Sequence, residues 1–283
     1  MNNLNKVIKM GREEEIKSFV RLLDIMDELR VKCPWDREQT MESLRPLTIE
    51  ETYELSDSII NKDDFNISKE LGDIMLHIVF YSKIGSEKGT FNIADVMNRC
   101  SDKLVYRHPH VFAETQVSGA KEVIENWEQL KRKEKDGNKT ILSGVPSSLP
   151  SLVKAYRVQD KVRAVGFDWE RREQVWDKVR EEIGEFEQEM KKRYPDGIHG
   201  KNETIADDKL EGEFGDLIFS LVNAARLYDI NPDTALEMTN RKFIKRFGYL
   251  ESEAVKRGLS LKKMTLEEMD LLWNEAKLLE EER

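Results

Sequence analysis

Two acidic patterns occur twice in this chain, in the same order. The segment EExxE is found at Glu50, Glu51 and Glu54 and again at Glu181, Glu182 and Glu185. E-[LF]-G-D follows each time, carrying Glu70 and Asp73 first and Glu213 and Asp216 second. The flanks match as well. A Trp35-Asp36 pair precedes the first set and Asp168-Trp169 the second; Lys103/Arg107 and Trp127/Lys131 follow the first, Lys242/Arg246 and Trp273/Lys277 the second. Five weak signals in one order make a strong one: the chain is two copies of a single module, each with its own core to bury.

The module is helical. Only 15 Gly and 7 Pro interrupt 283 residues, so long runs of good helix formers remain between breaks. Ile16, Phe19, Val20, Leu22, Leu23 and Met26 form a stripe of helical period. A turn-rich CPWDREQT stretch breaks it, and Thr48 with Glu51 three residues on predicts the start of the next helix as a capping box. Residues 70–83 read as a helix apolar on most sides, hence buried, opened by E-L-G-D; 95–107 read as another, ended by His108-Pro109-His110. Further helices are predicted over 152–165, 175–192, 209–228, 233–246 and 266–281, the last begun by Thr265 and Glu268. Gly137, Gly144, Pro146 and Pro150 mark a linker. The expected division is therefore a helical module over 12–136, a linker over 137–151 and a second module over 152–283, with 191–208 as a polar loop.

The net charge of −9 argues against a general binder of nucleic acid or of an anionic membrane, while leaving room for a phosphate ligand where local cations or a metal invert the field. Cys33 and Cys100 are too few for a disulfide framework or a zinc site, and the reduced cytoplasm is the expected compartment. No basic-then-apolar leader opens the sequence, and no apolar run approaches the ~20 residues of a membrane span.

Residues three or four apart on a helix share a face, so Glu182 projects with Glu185 and Glu213 with Asp216. Pairs from two facing helices would bring four carboxylates to one point, a cluster that repels itself unless a hard cation, Mg²⁺ above all, relieves it. Taken alone, the acidic run of 181–189 reads first as a solvated face. The second segment is more telling, because Glu213, Asp216, Ser220 and Asn223 form a polar stripe on an apolar helix, and a buried stripe must be paired or ligated. Gly215 within that helix suggests close approach of a neighbour or ligand. A carboxylate-held cation that keeps its waters suits phosphate chemistry. Lys242 and Arg246 would meet polyphosphate oxygens or form an exposed basic turn; Trp273 would stack on a base or fill core; Lys178 would face phosphate or solvent. No GxxxxGK[ST] loop, HExxH or paired ExxH motif offers another chemistry.

Read in order, CPWDREQT, LTIEETYEL, ELGDIMLHIVFY, RHPHVF, NWEQLKRKE, VGFDWE, VWDKVREEIGE, EFGDLIF and NRKFIKRF resemble segments of the MazG family of nucleoside triphosphate pyrophosphohydrolases, within the all-α pyrophosphatase superfamily, across nearly the whole chain. The resemblance implies an all-α fold of two tandem helical-bundle modules and a homodimer. It implies hydrolysis of nucleoside triphosphates to monophosphate and pyrophosphate with Mg²⁺, or Mn²⁺ in its place, a reaction that would cleanse a nucleotide pool. It assigns the metal to Glu182, Glu185, Glu213 and Asp216, and nucleotide contacts to Lys178, Glu181, Lys242, Arg246, Trp273 and Lys277. Glu181 is the candidate proton acceptor. The C-terminal module is the expected main catalyst, and Glu50, Glu51, Glu54, Glu70, Asp73, Lys103, Arg107 and Trp127 a second site of uncertain activity. The sequence departs from the family in its long 191–208 stretch and in Gly212, where Glu is commoner. A nucleotide-sensing or regulatory helical module without turnover is the competing reading.

Overall fold

The computed structural model describes residues 2–119, 122–123, 126–127, 130–131, 140–195 and 207–281, and side chains within 12–280. No strand occurs among them. The chain divides into two compact units, Met1–Leu130 and Lys131–Arg283.

In the first unit α1 (Asn2–Lys32) leads through the short α2 (Pro34–Glu38) to α3 (Met41–Asn61), α4 (Asp64–Glu87), α5 (Ile93–Arg107) and the single turn α6 (Pro109–Phe112). Four of the six residues of the α1 stripe do what its period predicts: Phe19, Leu22, Leu23 and Met26 meet Leu44 of α3 and Val79, Phe80 and Ile84 of α4 in one core, while Ile16 and Val20 are exposed. The helix carrying EExxE begins earlier than Thr48. Thr40 caps it through a reciprocal pair with Ser43, and the chain runs on as helix through Pro46. Thr48 lies two turns inside, where its hydroxyl donates to the Leu44 carbonyl and meets the Tyr81 hydroxyl at 2.7 Å. The apparent capping box was a coincidence of spacing. Lys62, at φ 56°, turns the chain back into α4, which Asp63 caps by accepting from the Asn66 N–H at 3.1 Å. Glu70 and Asp73 therefore sit in the body of α4 rather than at its start.

The second unit repeats the plan. It holds α7 (Ser151–Arg163), α8 (Val175–Arg193), α9 (Asp208–Leu227), α10 (Pro232–Lys256) and α11 (Leu266–Glu281). Helix α9 is capped by Asp207, whose carboxylate accepts from the Leu210 N–H at 2.9 Å, so Glu213 and Asp216 again lie mid-helix. Asn231 caps α10 ahead of Pro232, and the predicted Thr265–Glu268 box starts α11 with both of its bonds in place. Of the predicted loop, 191–193 continue α8 and 196–206 lie outside the described residues. Val175, Val179 and Ala224 join α8 to α9; Leu250, Ala254 and Leu272 join α10 to α11 with Trp273 against them.

Burial corrects one expectation. Helix α4 is apolar on most sides but only one side is covered: Leu71, Met75 and Ile78 are exposed. The repeat-equivalent positions of α9, Phe214, Ile218 and Leu221, are exposed too. At i, i+4, i+7 these make one matching apolar stripe on each helix. Among the described residues no helix is long and apolar enough to cross a membrane.

Candidate metal and nucleotide site

Helices α8 and α9 pack side by side through Val179 and Ala224, which faces their acidic residues toward each other. One oxygen from each of Glu182, Glu213 and Asp216 lies within 4.8 Å of the others. Glu182 is buried, with its side chain 7% exposed. The Lys178 ammonium, one turn earlier, bonds it at 2.6 Å and Glu181 at 2.8 Å. Both carboxylates hold Lys178 well above the ordinary lysine range, so it is a fixed cation at the rim. Glu185 is exposed and outside the three-residue group. Its carboxyl is nonetheless pushed up, by desolvation first and then by Glu182 and Glu213.

The first unit builds the same group from α3 and α4. Glu51, Glu70 and Asp73 converge within 4.8 Å, while Glu50 and Glu54 are exposed and stand outside. Glu70 is buried, and its Oε2 has no hydrogen-bond partner among the described residues. Burial, then Asp73, Glu54 and Glu70, push the Glu51 carboxyl up. Here the neighbouring cation is Lys69, 3.0 Å from Glu70 and 4.0 Å from Asp73. An all-oxygen donor set, a buried orphan oxygen and the raised Glu51 carboxyl fit a hard divalent cation.

The other predicted contacts divide. Arg246 is engaged by Glu280, its Nε donating at 2.9 Å, and stands 5.9 Å over the Trp273 ring. Trp273 packs on the α10–α11 core and lies 4.9 Å from Phe243. Lys242 is exposed, and Lys277 donates to Asn274 at 3.3 Å. The first unit keeps the corresponding pair, Arg107 at 5.7 Å over Trp127, with Lys103 exposed nearby in sequence. The polar stripe of α9 is satisfied locally: Ser220 donates to the Leu217 carbonyl, and Asn223 Oδ1 accepts from Arg226. Among the described residues no neighbour closes on Gly215, for a Cβ there, as at Gly72, would meet nothing within 4 Å, which leaves a ligand or partner as the other expected occupant. Both glycines lie on the uncovered side of their helices.

Three residues of the site's surroundings lack a motif. Lys69 precedes the acidic segment where the second copy has Gly212. Arg226 grips Asp168 with two hydrogen bonds, Nη1 to Oδ2 at 3.0 Å and Nη2 to Oδ1 at 2.5 Å, and so ties the Asp168-Trp169 turn to the end of α9. Burial pushes the Asp168 carboxyl up, but Arg226 and the Trp169 N–H outweigh it and leave it below the usual range. Gln159, 3% exposed, donates from Nε2 to the Phe219 carbonyl at 2.8 Å. The only signal for Gln159 was a polar residue beside Val158 and Val162 on the apolar face of α7.

The family model described as the MazG nucleotide pyrophosphohydrolase domain matches residues 39–112. A nucleoside triphosphate pyrophosphohydrolase of Escherichia coli (strain K12) is 40% identical over 262 residues, 91% of this chain and 96% of that protein. The nucleoside triphosphate pyrophosphohydrolase/pyrophosphatase MazG of Thermotoga maritima is 39% identical over 92% of this chain and 95% of its own length. An uncharacterized protein of Bacillus subtilis, YabN, is 43% identical over 98% of this chain, which spans 56% of that longer protein.

Proposed function

Since the chain belongs to the MazG nucleotide pyrophosphohydrolase family, we propose that it hydrolyses nucleoside triphosphates to monophosphate and pyrophosphate. The observation that carries this reading is the convergence of Glu182, Glu213 and Asp216 beside Lys178, in a chain similar to such hydrolases along nearly its full length. In this reading the modules are residues 12–136 and 152–283, joined by 137–151, with the second as main catalyst and Glu51, Glu70 and Asp73 as a second site.

Glu182, Glu213 and Asp216, with Glu185 swinging in from the rim, would hold Mg²⁺, for which Mn²⁺ could substitute. Bound there, the ion would supply positive charge to the phosphate oxygens and lower the pKa of a coordinated water. Lys178 would offset charge on the pyrophosphate as the α–β bridge breaks, and Glu181, held beside it, would accept the water's proton. Lys242 and Lys277 would meet the outer phosphates, and Arg246 would join them on exchanging its Glu280 partner. The exposed stripes of α4 and α9 support self-association as a homodimer, since a monomer would leave both in water. Two free cysteines agree with the cytoplasm.

The test is a panel of canonical and modified nucleoside triphosphates with Mg²⁺, followed by product identification. Pyrophosphate should appear and orthophosphate should not. Unchanged turnover in both Glu213→Gln and Asp216→Asn would sink the site assignment.

A further inference from the structure

The last turns of α11 set an acid among the cations proposed for the outer phosphates. Trp273, Lys277 and Glu280 are four and three residues apart, so they share one face of that helix. Glu280 reaches across to α10. Its Oε2 accepts from Arg246 Nε at 2.9 Å and stands 2.8 Å from Nη2, and its Oε1 lies 3.4 Å from Lys245 Nζ. Arg246 and Glu280 are largely covered, with side chains 18% and 22% exposed, whereas Lys245 stands out in solvent. The hydrogen bond from Arg246 holds the Glu280 carboxyl below the usual range, so it is charged at neutral pH.

Charge and geometry give this pair a consequence for ligands. Two nitrogens of one guanidinium meet one carboxylate oxygen, and charge-assisted bonds of this kind are the strong ones. Partial cover spares them some of the screening that an exposed pair suffers. Arg246 and Glu280 together carry no net charge. The cation that would draw a polyphosphate is therefore neutralised until something replaces the carboxylate.

The repeat argues that the acid is part of the motif. Trp273, Lys277 and Glu280 spell W-x3-K-x2-E, and Trp127, Lys131 and Glu134 repeat it at the same spacing. Arg107 stands over Trp127 as Arg246 stands over Trp273. Glu134 lies outside the described residues, so its partner is not assigned.

We infer that Glu280 is a specificity-determining residue, a resident anion on Arg246 that the outer phosphates of a nucleotide must displace. The inference rests on reading Arg246 as a contact to those phosphates. A triphosphate carries two phosphates beyond the α–β bond, and their charge offsets the loss of one carboxylate. A monophosphate lacks them and gains nothing from a guanidinium already occupied. Once the bond is broken, Glu280 competes with pyrophosphate for Arg246 and so favours its release.

Inorganic pyrophosphate, titrated by calorimetry into the full chain in millimolar Mg²⁺, reads this exchange without turnover. Glu280→Gln keeps the length of the side chain and removes its charge. It should bind pyrophosphate about fivefold more tightly than wild type, the scale of a partly exposed ion pair. Glu280→Ala should show the same gain, and it decides if melting temperatures show that the Gln variant has unfolded. Equal or weaker binding in the folded variant overturns the inference. A double-mutant cycle then locates the effect: in an Arg246→Met background, Glu280→Gln should add nothing. A gain that persists there would trace to Lys245 or to net charge, and would also overturn the inference. Pyrophosphate release from nucleoside triphosphates, assayed alongside, separates the two readings. Turnover by wild type with no gain in Glu280→Gln removes the resident anion alone; a gain without turnover removes the hydrolytic reading and leaves the resident anion standing.

Discussion

The two units place three carboxylates in the same register and then balance them differently. In the first, the nearby cation is Lys69, on the helix that carries Glu70 and Asp73. In the second, that register position is Gly212, and the cation is Lys178 on the opposite helix, where the first unit has Leu47. Seven residues beyond the aspartate, the first unit closes its core with Phe80 and the second opens a cavity at Asn223. A shared acidic frame is thus compatible with two sets of companions, and the function proposed above gives catalysis to the set in the second unit.

The largest effect should come from the frame itself. Asp216→Asn should lower pyrophosphate release on the order of 100-fold, as loss of one preorganised charge-stabilising group does, whereas Asp73→Asn should leave it within about threefold, a margin small beside that loss. Equal losses, measured in the same assay, would break the asymmetry. Next are the lysines. Lys69→Met removes the hydrogen-bonded cation from buried Glu70, and a urea melt without metal should show a lower midpoint than wild type, since a buried charge is left without its partner. Millimolar Mg²⁺ should recover most of the difference; no recovery would argue that the first unit's carboxylates do not hold a cation.

Smaller, and shared by both units, is a linkage to pH. The Glu51 and Glu185 carboxyls are raised in the folded chain above the ordinary 4.5. The native state therefore holds those protons more tightly than the unfolded chain, and their contribution to stability falls as pH rises through the raised range. A bound cation removes that repulsion. The rise in melting temperature caused by Mg²⁺ should accordingly grow from about pH 4.5 upward, and a rise that shrinks with pH would contradict it. The smallest effect is expected at the glycines. With open space at both positions, Gly72→Ala and Gly215→Ala should each stabilise the isolated chain by roughly 0.5–1 kcal/mol. A loss of stability or a shift in sedimentation would place a partner surface over that helix.

Much of this was legible before any coordinates. Helical periodicity located most helices of both units, and the spacing of Glu213 and Asp216 put them on one face because a helix leaves no other choice. Helix starts were less legible. Thr48 and Glu51 satisfy a capping pattern that the chain does not use, since Thr40 with Ser43 closes the same bonds about two turns earlier. Apolar residues on all sides of α4 suggested full burial, yet hydrophobicity alone does not say whether the covering surface belongs to the same chain. Gln159 and Arg226 were invisible for a different reason. Their partners, Phe219 and Asp168, lie about 60 residues away, and no local pattern records a contact of that separation.

The grip of Arg226 on Asp168 has a consequence for how the molecule would respond to damage. The turn at 164–171 is anchored at its middle to the last helical turn of α9, the helix that also carries Glu213 and Asp216. A lesion at either residue would free one wall of the aromatic cavity at Asn223 without touching the acidic group. Such a variant would keep its three carboxylates in place while its aromatic wall came loose, and a measurement confined to the acidic group would record it as unchanged.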